Sequence, residues 1–517
     1  MPNSDSSSFI HELRMELSPH QMSVLDRRLN IARQVYNACL GEGLKRLKLM
    51  RESKDWRCAC KMPKKVKNKK GREINNRERQ ELFKRVRETY KFREYDLHKY
   101  TTYLRQSEYI SDHIDSNSAQ KIATRAFNAL MQYAIGKRGR PRFKAYNRFS
   151  SIEGKSNGTG IRWIDGKIKW GKNFECKVHY DLKDKHGLEA YALSCKTKYV
   201  RLVKRTIKGK AIWYAQLIQE GFPYIKGKNT LGDSIVGLDI GPSTIAIVGS
   251  DSAKLQAFCP EVDDVSKKIK VLQRKMNRSL RLNNPDNFES DRIVVNSNGR
   301  PIKKLGKVKK GASKWIRSKQ YTTIRHEASE LQRRMASTRK TSHGELSNNI
   351  LAIGTTIKTE KLSYKGFQKN FGRSVGKRAP GLLVEILRRK AANAGGKVIE
   401  FNTRTTALSQ SCQCGNKRKK ARNERWHDCQ QCGIQAQRDL YSAFLARFVQ
   451  ENKLDRSQAL CAWPGAGILL EQAVSSLKET TTSKTRLASF GLGQRQSCLS
   501  VKKESVSSEA LDVVATA

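Results

Sequence analysis

The 517-residue sequence has no run of about 18 apolar residues, the length that a membrane-crossing helix needs. Residues 1–15 lack a basic segment followed by an apolar one, so secretion is not expected. Twelve cysteines are present, but four of them lie between Cys412 and Cys432 while the others are scattered. This distribution predicts one metal site in a reducing cytoplasm rather than a framework of disulfide bonds.

Acidic residues are scarce relative to basic ones. The chain has 48 aspartates and glutamates against 102 lysines and arginines, which gives a formal net charge of +54. The basic excess recurs from residues 1–50 to beyond residue 425, so a basic tail alone does not explain it. Because a polyanion would relieve this self-repulsion, the charge predicts a nucleic-acid partner. No Ser/His/Asp grouping, P-loop or dinucleotide fingerprint is evident, and the nine histidines are dispersed.

The first part of the chain combines strand and helix patterns. Residues 9–16 have the pattern of a strand, Ser18 is a potential helix N-cap, and helical spacing then continues to about residue 135. The basic stretch at 58–76 interrupts it and is expected to be an exposed loop, which could bind phosphates or simply be solvated. Two hairpins are predicted farther on, at residues 161–170 and 200–218. These patterns favour a small antiparallel barrel or sheet with a helical insertion.

A second domain with an α/β pattern begins at about residue 231. The predicted strands are 234–241, 243–251, 350–360 and 397–401, the predicted helices are 382–394 and 438–449, and a polar loop is expected at 285–312. The order β-β, helices, β, α, β, α is typical of an RNase H-type fold. After about residue 475 the chain is rich in serine and threonine and poor in aromatics, which predicts a disordered tail.

Three acidic residues lie where a strand or a helix start would hold them rigidly: Asp239, Glu360 and Asp439. Each one alone is more typical of a helix cap or a salt bridge. Together on one sheet they would repel one another unless cations held them, and oxygen ligands suit Mg²⁺ or Mn²⁺. Two such ions could activate water and neutralise a leaving 3′-oxygen. Arg438 could contact a scissile phosphate, or it could serve as a cap or a surface ion pair.

The cysteine cluster has the spacing of a structural zinc site. Cys412-x-Cys414-Gly and Cys429-x-x-Cys432-Gly are two turns that each end in glycine. Four thiolates would form a closed tetrahedral site without an open position for catalysis, and His427 is a further candidate ligand. The basic residues 417–425 between the pairs could rest on a strand of nucleic acid.

These motifs, in this order, resemble the TnpB family, the transposon-encoded relatives of type V CRISPR effector nucleases. The matching stretches are VGLDIGPSTIAIV, TTIKTEKLSYKG, SCQCG, DCQQCG and QRDLYSAFLA, with RQVYNACL and GRPRFK farther upstream. The resemblance covers roughly residues 9–450. Two departures are visible: the first cysteine pair is one residue shorter than the family's C-x-x-C, and Leu440-Tyr441 stands where many members have a residue followed by asparagine.

The resemblance implies a multidomain α/β protein with an RNase H-like (RuvC) nuclease domain that carries a zinc-ribbon insertion, plus a β-barrel wedge domain with a helical recognition insertion. The implied domains are a wedge barrel at 1–17 and 136–230, a recognition lobe at 18–135, a nuclease domain at 231–404 and 436–452, a zinc-binding target-nucleic-acid-binding insertion at 405–435, and a largely disordered extension at 453–517. Asp239, Glu360 and Asp439 correspond to the three RuvC acids, which would bind Mg²⁺ or Mn²⁺.

The resemblance also implies the activity and the partners. A guide RNA from the transposon end would pair with one strand of a double-stranded DNA target, while the protein reads a short adjacent motif and cuts at one RuvC site. Arg142 and Lys144 are candidates for nucleic-acid contacts, although solvation explains them as well. A monomer on one RNA is expected, in a bacterial or archaeal cytoplasm, or in a nucleus if the chain is a eukaryotic homologue.

Three alternatives stay open. A guided DNA-binding repressor without nuclease activity would be expected to lack one of the acids, and none of the three is missing. A DNA transposase can also use three acids in an RNase H fold, but the cysteine pairs directly before the third acid favour TnpB. A compact type V CRISPR effector would differ by a repeat array beside its gene.

Overall fold

The computed structural model describes residues 7–67, 72–107, 109–146, 148–171, 173–296, 298–421, 423–482 and 487–492. The chain divides into two compact units, with the boundary between Tyr224 and Ile225. Within the described part, none of the helices combines the length and the apolar character that crossing a membrane requires.

The first unit contains six α-helices and ten strands among its described residues. They are β1 (Ser8–Met15), α1 (Pro19–Glu52), α2 (Lys54–Lys61), β2 (Lys65–Lys67), β3 (Glu73–Asn75), α3 (Arg77–Thr89), α4 (Glu94–Ser107), α5 (Ser116–Ala134), β4 (Ser151–Glu153), β5 (Ile161–Ile164), β6 (Lys167–Trp170), β7 (Glu175–Cys176), β8 (Val178–His179), α6 (Leu188–Ser194), β9 (Thr197–Ile207) and β10 (Lys210–Glu220).

The main sheet of this unit is antiparallel, in the order β4-β9-β10-β1-β8, and β5-β6-β7 form a second sheet. The hairpins at β5-β6 and β9-β10 were both expected. Their turn residues, Asp165-Gly166 and Lys208-Gly209, all have positive φ, as tight primed turns require. The pairing of β1 with β10 confirms the N-terminal strand. In the sequence, α1–α5 therefore lie between two strands that are neighbours in the sheet. Closure of these strands into a barrel stays a prediction.

The start of α1 agrees with the sequence, whereas the expected loop at 58–76 is only partly correct. Ser18 accepts a hydrogen bond from the backbone N–H of Gln21, and the Gln21 side chain accepts one from the backbone N–H of Ser18. The loop prediction was wrong at its start, because α2 continues to Lys61 and a small hairpin of β2 and β3 follows. Residues 68–71 lie outside the described part of the chain.

The second unit contains seven α-helices and eleven strands among its described residues. They are β11 (Ile235–Ile240), β12 (Thr244–Val248), β13 (Ala253–Ala257), α7 (Val262–Leu282), β14 (Arg292–Val295), β15 (Pro301–Lys304), α8 (Lys319–Ile353), β16 (Thr356–Glu360), α9 (Tyr364–Arg378), α10 (Pro380–Asn393), β17 (Lys397–Phe401), α11 (Thr403–Thr406), β18 (Trp426–Asp428), β19 (Gln435–Gln437), α12 (Arg438–Ala446), β20 (Val449–Gln450), β21 (Lys453–Leu454) and α13 (Arg456–Thr480).

The central sheet of the second unit has the order β13-β12-β11-β16-β17. The strands β13, β12 and β11 form an antiparallel meander, whereas β16 and β17 run parallel to β11. Helix α12 packs closely on β11: a Cβ atom on Gly237 would lie 1.9 Å from the carbonyl oxygen of Ala443, so no larger residue fits there. This mixed sheet with helices is the α/β arrangement expected from the sequence.

Three expectations for this unit were wrong. The apolar run at 350–360 is not one strand, because Ile350–Ile353 complete α8 and the strand begins only at Thr356; an apolar run alone does not distinguish a buried helix from a strand. The polar loop at 285–312 contains the exposed hairpin β14-β15.

The third wrong expectation concerns the C-terminal extension. Residues 453–480 are not disordered, because Asp455 caps α13 and apolar residues recur along it at helical spacing: Ala459, Ala466, Leu470, Val474 and Leu477 are buried. The proline inside this helix, Pro464, and its serines and threonines obscured the pattern. Residues 493–517 lie outside the described part of the chain.

Candidate active site and metal centres

Two of the three predicted acids lie on neighbouring parallel strands. In the pairing of β11 with β16, Leu238 lies opposite Thr359, and the Thr359 hydroxyl donates a hydrogen bond to the carbonyl oxygen of Leu238. Asp239 and Glu360 are the next residues on each strand. The sheet register therefore places the two carboxylates side by side, although 121 positions separate them in the sequence.

Asp439 joins them from the start of α12. The side chain of Gln437 caps this helix by accepting a hydrogen bond from the backbone N–H of Leu440. Because α12 lies against β11, Asp439 comes close enough for its charge to act on Asp239. The structure thus brings together all three acids that the sequence singled out.

The electrostatics of the site disfavour three bare carboxylates. Burial raises the pKa of Asp239 well above its usual value, and the charges of Asp439 and Glu360 raise it further, against the lowering effect of Arg438 and Arg425. Burial also raises the pKa of Glu360 from 4.5 to about 7. Acids in this state ionise readily only when a cation compensates them.

The donor set fits a hard divalent cation. The three side chains offer only carboxylate oxygens, which are the ligands that Mg²⁺ and Mn²⁺ prefer. The charges of Glu360 and Asp439 both act on Asp239, so the three carboxylates together would hold such a cation. Raised carboxylate pKa values at a cluster of this kind are a recognised feature of catalytic sites.

Two arginines hold the third acid. The Nε and Nη2 atoms of Arg438 each lie 3.2 Å from one oxygen of Asp439, and Nη1 donates to the carbonyl oxygen of Glu424 at 2.7 Å. Arg425 approaches the other oxygen of Asp439 at 3.6 Å. Of the two alternatives for Arg438, this geometry supports the ion pair rather than a free phosphate contact. Arg425 was not singled out from the sequence, because only the antiparallel pairing of β18 with β19, a hairpin, brings it to Asp439.

The four cysteines of the predicted zinc site also come together. The Sγ atoms of Cys412, Cys414, Cys429 and Cys432 all lie within 4.8 Å of one another, with Cys412–Cys432 at 3.5 Å and Cys414–Cys429 at 3.6 Å. Tetrahedral zinc with Zn–S bonds of about 2.3 Å requires sulfur–sulfur distances of roughly 3.8 Å. The donor set therefore fits structural zinc, even though the first pair is one residue short.

The backbone around the cysteines forms the same kind of turn at both pairs. Each pair lies in a turn that ends at a glycine with positive φ, Gly415 or Gly433. The backbone N–H of that glycine closes the turn by donating to the carbonyl oxygen of the first cysteine of its pair, Cys412 or Cys429. Burial raises the pKa of Cys412 and of Cys432. For Cys429, burial opposes ionisation, but hydrogen bonds from the backbone N–H groups of Cys432 and Gln431 and from the Cys432 and Cys414 thiols together lower the pKa to about 6.

His427 does not belong to this cluster. Its ring stacks on Tyr441 with centroids 4.2 Å apart, and its Nδ1 atom faces the Lys420 ammonium. Burial, followed by the charges of Lys420 and Arg418, lowers the His427 pKa to about 4. The candidate ligand is therefore a neutral packing residue, and the cluster of candidate zinc ligands comprises the four cysteines without His427.

Two further residues lie near the acids: Tyr441, which the sequence showed only as a departure from the family pattern, and Lys358, which sequence reasoning missed. The Tyr441 hydroxyl lies 3.5 Å from Cys412 Sγ and accepts a hydrogen bond from the backbone N–H of Gln413 at 3.1 Å. The buried Lys358 ammonium donates to the carbonyl oxygens of Arg447 and Val449, just past the end of α12. The strand sequence TIKTE has one apolar residue and gives no signal that singles out Lys358.

The candidate nucleic-acid residues of the first unit differ in their surroundings. Arg142 is exposed and forms no hydrogen bond or ion pair with any described residue, so it stays free for a ligand. The backbone of Lys144 is fixed to α1: its N–H donates to Asn37 Oδ1, and its carbonyl oxygen accepts from Asn37 and from Arg33. The two upstream stretches that resembled TnpB, 33–40 and 139–144, are therefore in contact.

Comparison with known families identifies the segment that contains both the cysteines and Asp439. Residues 381–445 match the model of the family described as Cas12f1-like, TNB domain. This segment is similar to the TNB domain of the Cas12f1-like family. The matched segment extends from α10 into α12, so it is wider than the insertion expected at 405–435. The predicted relationship to type V effectors is confirmed for this segment.

Solved structures show a more distant likeness. A cryo-EM structure of a Cas12f1–sgRNA–target DNA complex is 12% identical, covers 85% of this chain and 98% of its own, and has a TM-score of 0.43. A CRISPR-Cas12f ternary complex is 14% identical over 82% of this chain and 81% of its own, with a TM-score of 0.29. The mini-RNA-guided endonuclease CRISPR-Cas_phi3 is 11% identical over 58% and 57%, with a TM-score of 0.27. TM-scores this low carry no conclusion about function. No curated protein matches the chain.

Proposed function

We propose that this protein is an RNA-guided DNA endonuclease that hydrolyses phosphodiester bonds at Asp239, Glu360 and Asp439. The convergence of these three acids from β11, β16 and α12 carries the proposal. The TNB domain supports it, because the third acid and the cysteine cluster lie within the segment that matches the Cas12f1-like proteins.

The side chains have distinct roles in the proposed reaction. Bound Mg²⁺ or Mn²⁺ would activate the attacking water and neutralise the leaving 3′-oxygen. Asp239, Glu360 and Asp439 would hold these ions through their carboxylate oxygens. Arg438 and Arg425 hold the Asp439 carboxylate in place and partly neutralise it before a metal ion arrives. The cysteine cluster would hold zinc for structure only, because four sulfur ligands leave no open position.

The remaining parts of the chain would bind the guide and the target. A formal net charge of +54 supports binding to an RNA–DNA duplex through its phosphates, while base pairing by the guide carries the sequence information. In this proposal the β1-β10 sheet is the wedge, α1–α5 form the recognition lobe, and Arg142 contacts nucleic acid. A transposon would encode the protein, and the guide RNA would come from the end of that element.

The first test is cleavage by the protein purified with its co-expressed RNA, in Mg²⁺. The substrate is a plasmid library with a fixed target and randomised flanking bases. Asp239→Asn keeps the side-chain volume but removes one metal ligand, and Asp251→Asn is its control because Asp251 is an exposed residue just past the neighbouring strand. We expect motif-selected double-strand breaks from the wild type and Asp251→Asn, and none from Asp239→Asn.

Other outcomes would identify the alternatives. Motif-selective DNA binding without cutting by the wild type would contradict the nuclease proposal and indicate a guided repressor. If no RNA co-purifies with the protein, the proposal that an RNA guides it would be contradicted, and a DNA transposase would be favoured. A CRISPR repeat array beside the gene would indicate a type V effector rather than a transposon-encoded nuclease.

A further inference from the structure

A short segment beyond α13 returns to the candidate active site. In residues 487–492, Ser489, Phe490 and Leu492 are at most 8% exposed. Phe490 and Leu492 share an apolar cluster with Tyr441 of α12 and with two of the clustered cysteines. The segment is therefore packed into the core beside the TNB domain, beyond the end of the matched residues.

Two hydrogen bonds attach this segment to different parts of the site. The indole Nε1 of Trp426 donates to the carbonyl oxygen of Gly491 at 2.9 Å, and the hydroxyls of Ser489 and Ser243 lie 3.3 Å apart. Ser243 belongs to the turn that follows Asp239 on β11. The segment thus contacts both the turn after β11, the strand of Asp239, and the β18-β19 hairpin, which precedes Asp439.

Gly491 makes this close approach possible. Its φ of +71° lies in the left-handed region, and a Cβ atom built on it would lie 2.4 Å from Cβ of Arg425. Any other residue at this position would push the segment away from Arg425, whose guanidinium reaches Asp439.

The hairpin transmits this contact to the third acid. Trp426 on β18 pairs with Gln437 on β19, and Gln437 is the N-cap of α12, two residues before Asp439. The backbone N–H of Arg438 also donates to the carbonyl oxygen of Arg425 at 2.9 Å. A shift of Trp426 would therefore move the residues that orient Asp439.

We propose that residues 487–492 are a positioning segment that holds the β18-β19 hairpin against the Ser243 turn and thereby sets the place of Asp439 relative to Asp239. Its effects on cleavage and on metal binding rest on the proposed function, whereas its effect on hydrogen exchange in the hairpin does not. The segment would act on the acids through Trp426 and Ser243.

The test compares two glycine variants in the full-length chain. Gly491→Ala and Gly299→Ala both introduce a side chain at a positive φ, +71° and +74°, but the added Cβ has no neighbour within 4 Å at Gly299. We expect Gly491→Ala to speed hydrogen–deuterium exchange at Trp426–Asp428, to weaken Mn²⁺ binding measured by calorimetry, and to slow cleavage by roughly 10- to 100-fold at unchanged RNA affinity. Gly299→Ala should match the wild type in all three.

Truncation gives an independent comparison. A chain that stops after Leu492 should keep its Mn²⁺ affinity and cleavage rate, whereas one that stops after Thr482 should behave like Gly491→Ala. Equal hydrogen–deuterium exchange and equal Mn²⁺ affinity in both glycine variants would overturn the inference. Faster cleavage after removal of 487–492 would also overturn it, because the segment would then be an inhibitor. If the wild type binds Mn²⁺ but never cuts DNA, the proposed function fails while the exchange comparison still decides the inference.

Discussion

The Tyr441 hydroxyl lies 3.5 Å from the sulfur of Cys412, so a single side chain joins the cysteine cluster to the helix of the third acid. Tyr441 is almost fully buried between His427 and Trp463. Because it lies two residues after Asp439 on α12, a change in the cysteine cluster will reach the acid site through this contact.

Replacing Tyr441 by phenylalanine should weaken this connection. The backbone N–H of buried Gln413 would lose its acceptor, which costs about 1–3 kcal/mol of unfolding free energy. We expect this loss in urea titrations, with slower cleavage. Tyr36→Phe is the control, since Tyr36 is also buried but its hydroxyl bonds to no described residue. Equal losses in the two variants would contradict the prediction.

Replacing Lys358 by methionine tests the other end of α12. The carbonyl oxygens of Arg447 and Val449 would lose a buried donor, and we expect a loss of about 1–3 kcal/mol in unfolding free energy together with slower cleavage. Lys397→Met is the matched control, because Lys397 is exposed on the adjacent strand β17. A Lys358→Met protein as stable as the control would show that the ammonium does not fix the helix.

The raised pKa of Glu360 predicts a pH-dependent stability in magnesium-free buffer. The folded state keeps the proton up to about pH 7, whereas the unfolded chain releases it near 4.5. This stabilisation is therefore complete below pH 4.5 and is lost as pH rises through about 7, by about 3 kcal/mol. Denaturant titrations across this range should show a steeper decline for the wild type than for Glu360→Gln. Mg²⁺ should restore stability above pH 7 in the wild type, and identical declines in both proteins would refute the burial argument.

Removing one clustered thiol should abolish zinc binding. The measurement is the zinc that each denatured protein releases to a chelating dye. We expect zinc from the wild type and none from Cys429→Ser, because three sulfurs and a hydroxyl make a weaker site. Cys461→Ser should keep it, since Cys461 is exposed and outside the cluster. Full zinc retention by Cys429→Ser would mean that this thiol is not a ligand.

The sequence predicted the parts of the site that depend on local pattern. An acid in an apolar strand, such as Asp239, and two glycine-ended cysteine turns are visible as motifs, and the structure brings each set together. The catalytic and zinc-binding roles stay predictions. Arg425 and Lys358 were missed because their importance comes from long-range packing, which no local spacing encodes.

The wrong expectations have similar causes. Ile350–Ile353 were predicted as strand because a buried helix and a buried strand give the same apolar run, and the break at Gly354 was not recognised. Helix α13 was missed because its apolar face is spread over 25 residues of mixed composition with a proline inside. The two predicted hairpins were correct because their turn residues favour one backbone geometry.

The sheet order β13-β12-β11-β16-β17 also has a consequence for biosynthesis. The three acids leave the ribosome at different times. Asp439, the last of them, can join the others only after α12 has emerged and packed on β11. The first unit, which the proposed function assigns to guide binding, is translated much earlier. If that proposal holds, a nascent chain would bind its guide RNA before its three acids come together, so the nuclease would not form without a guide.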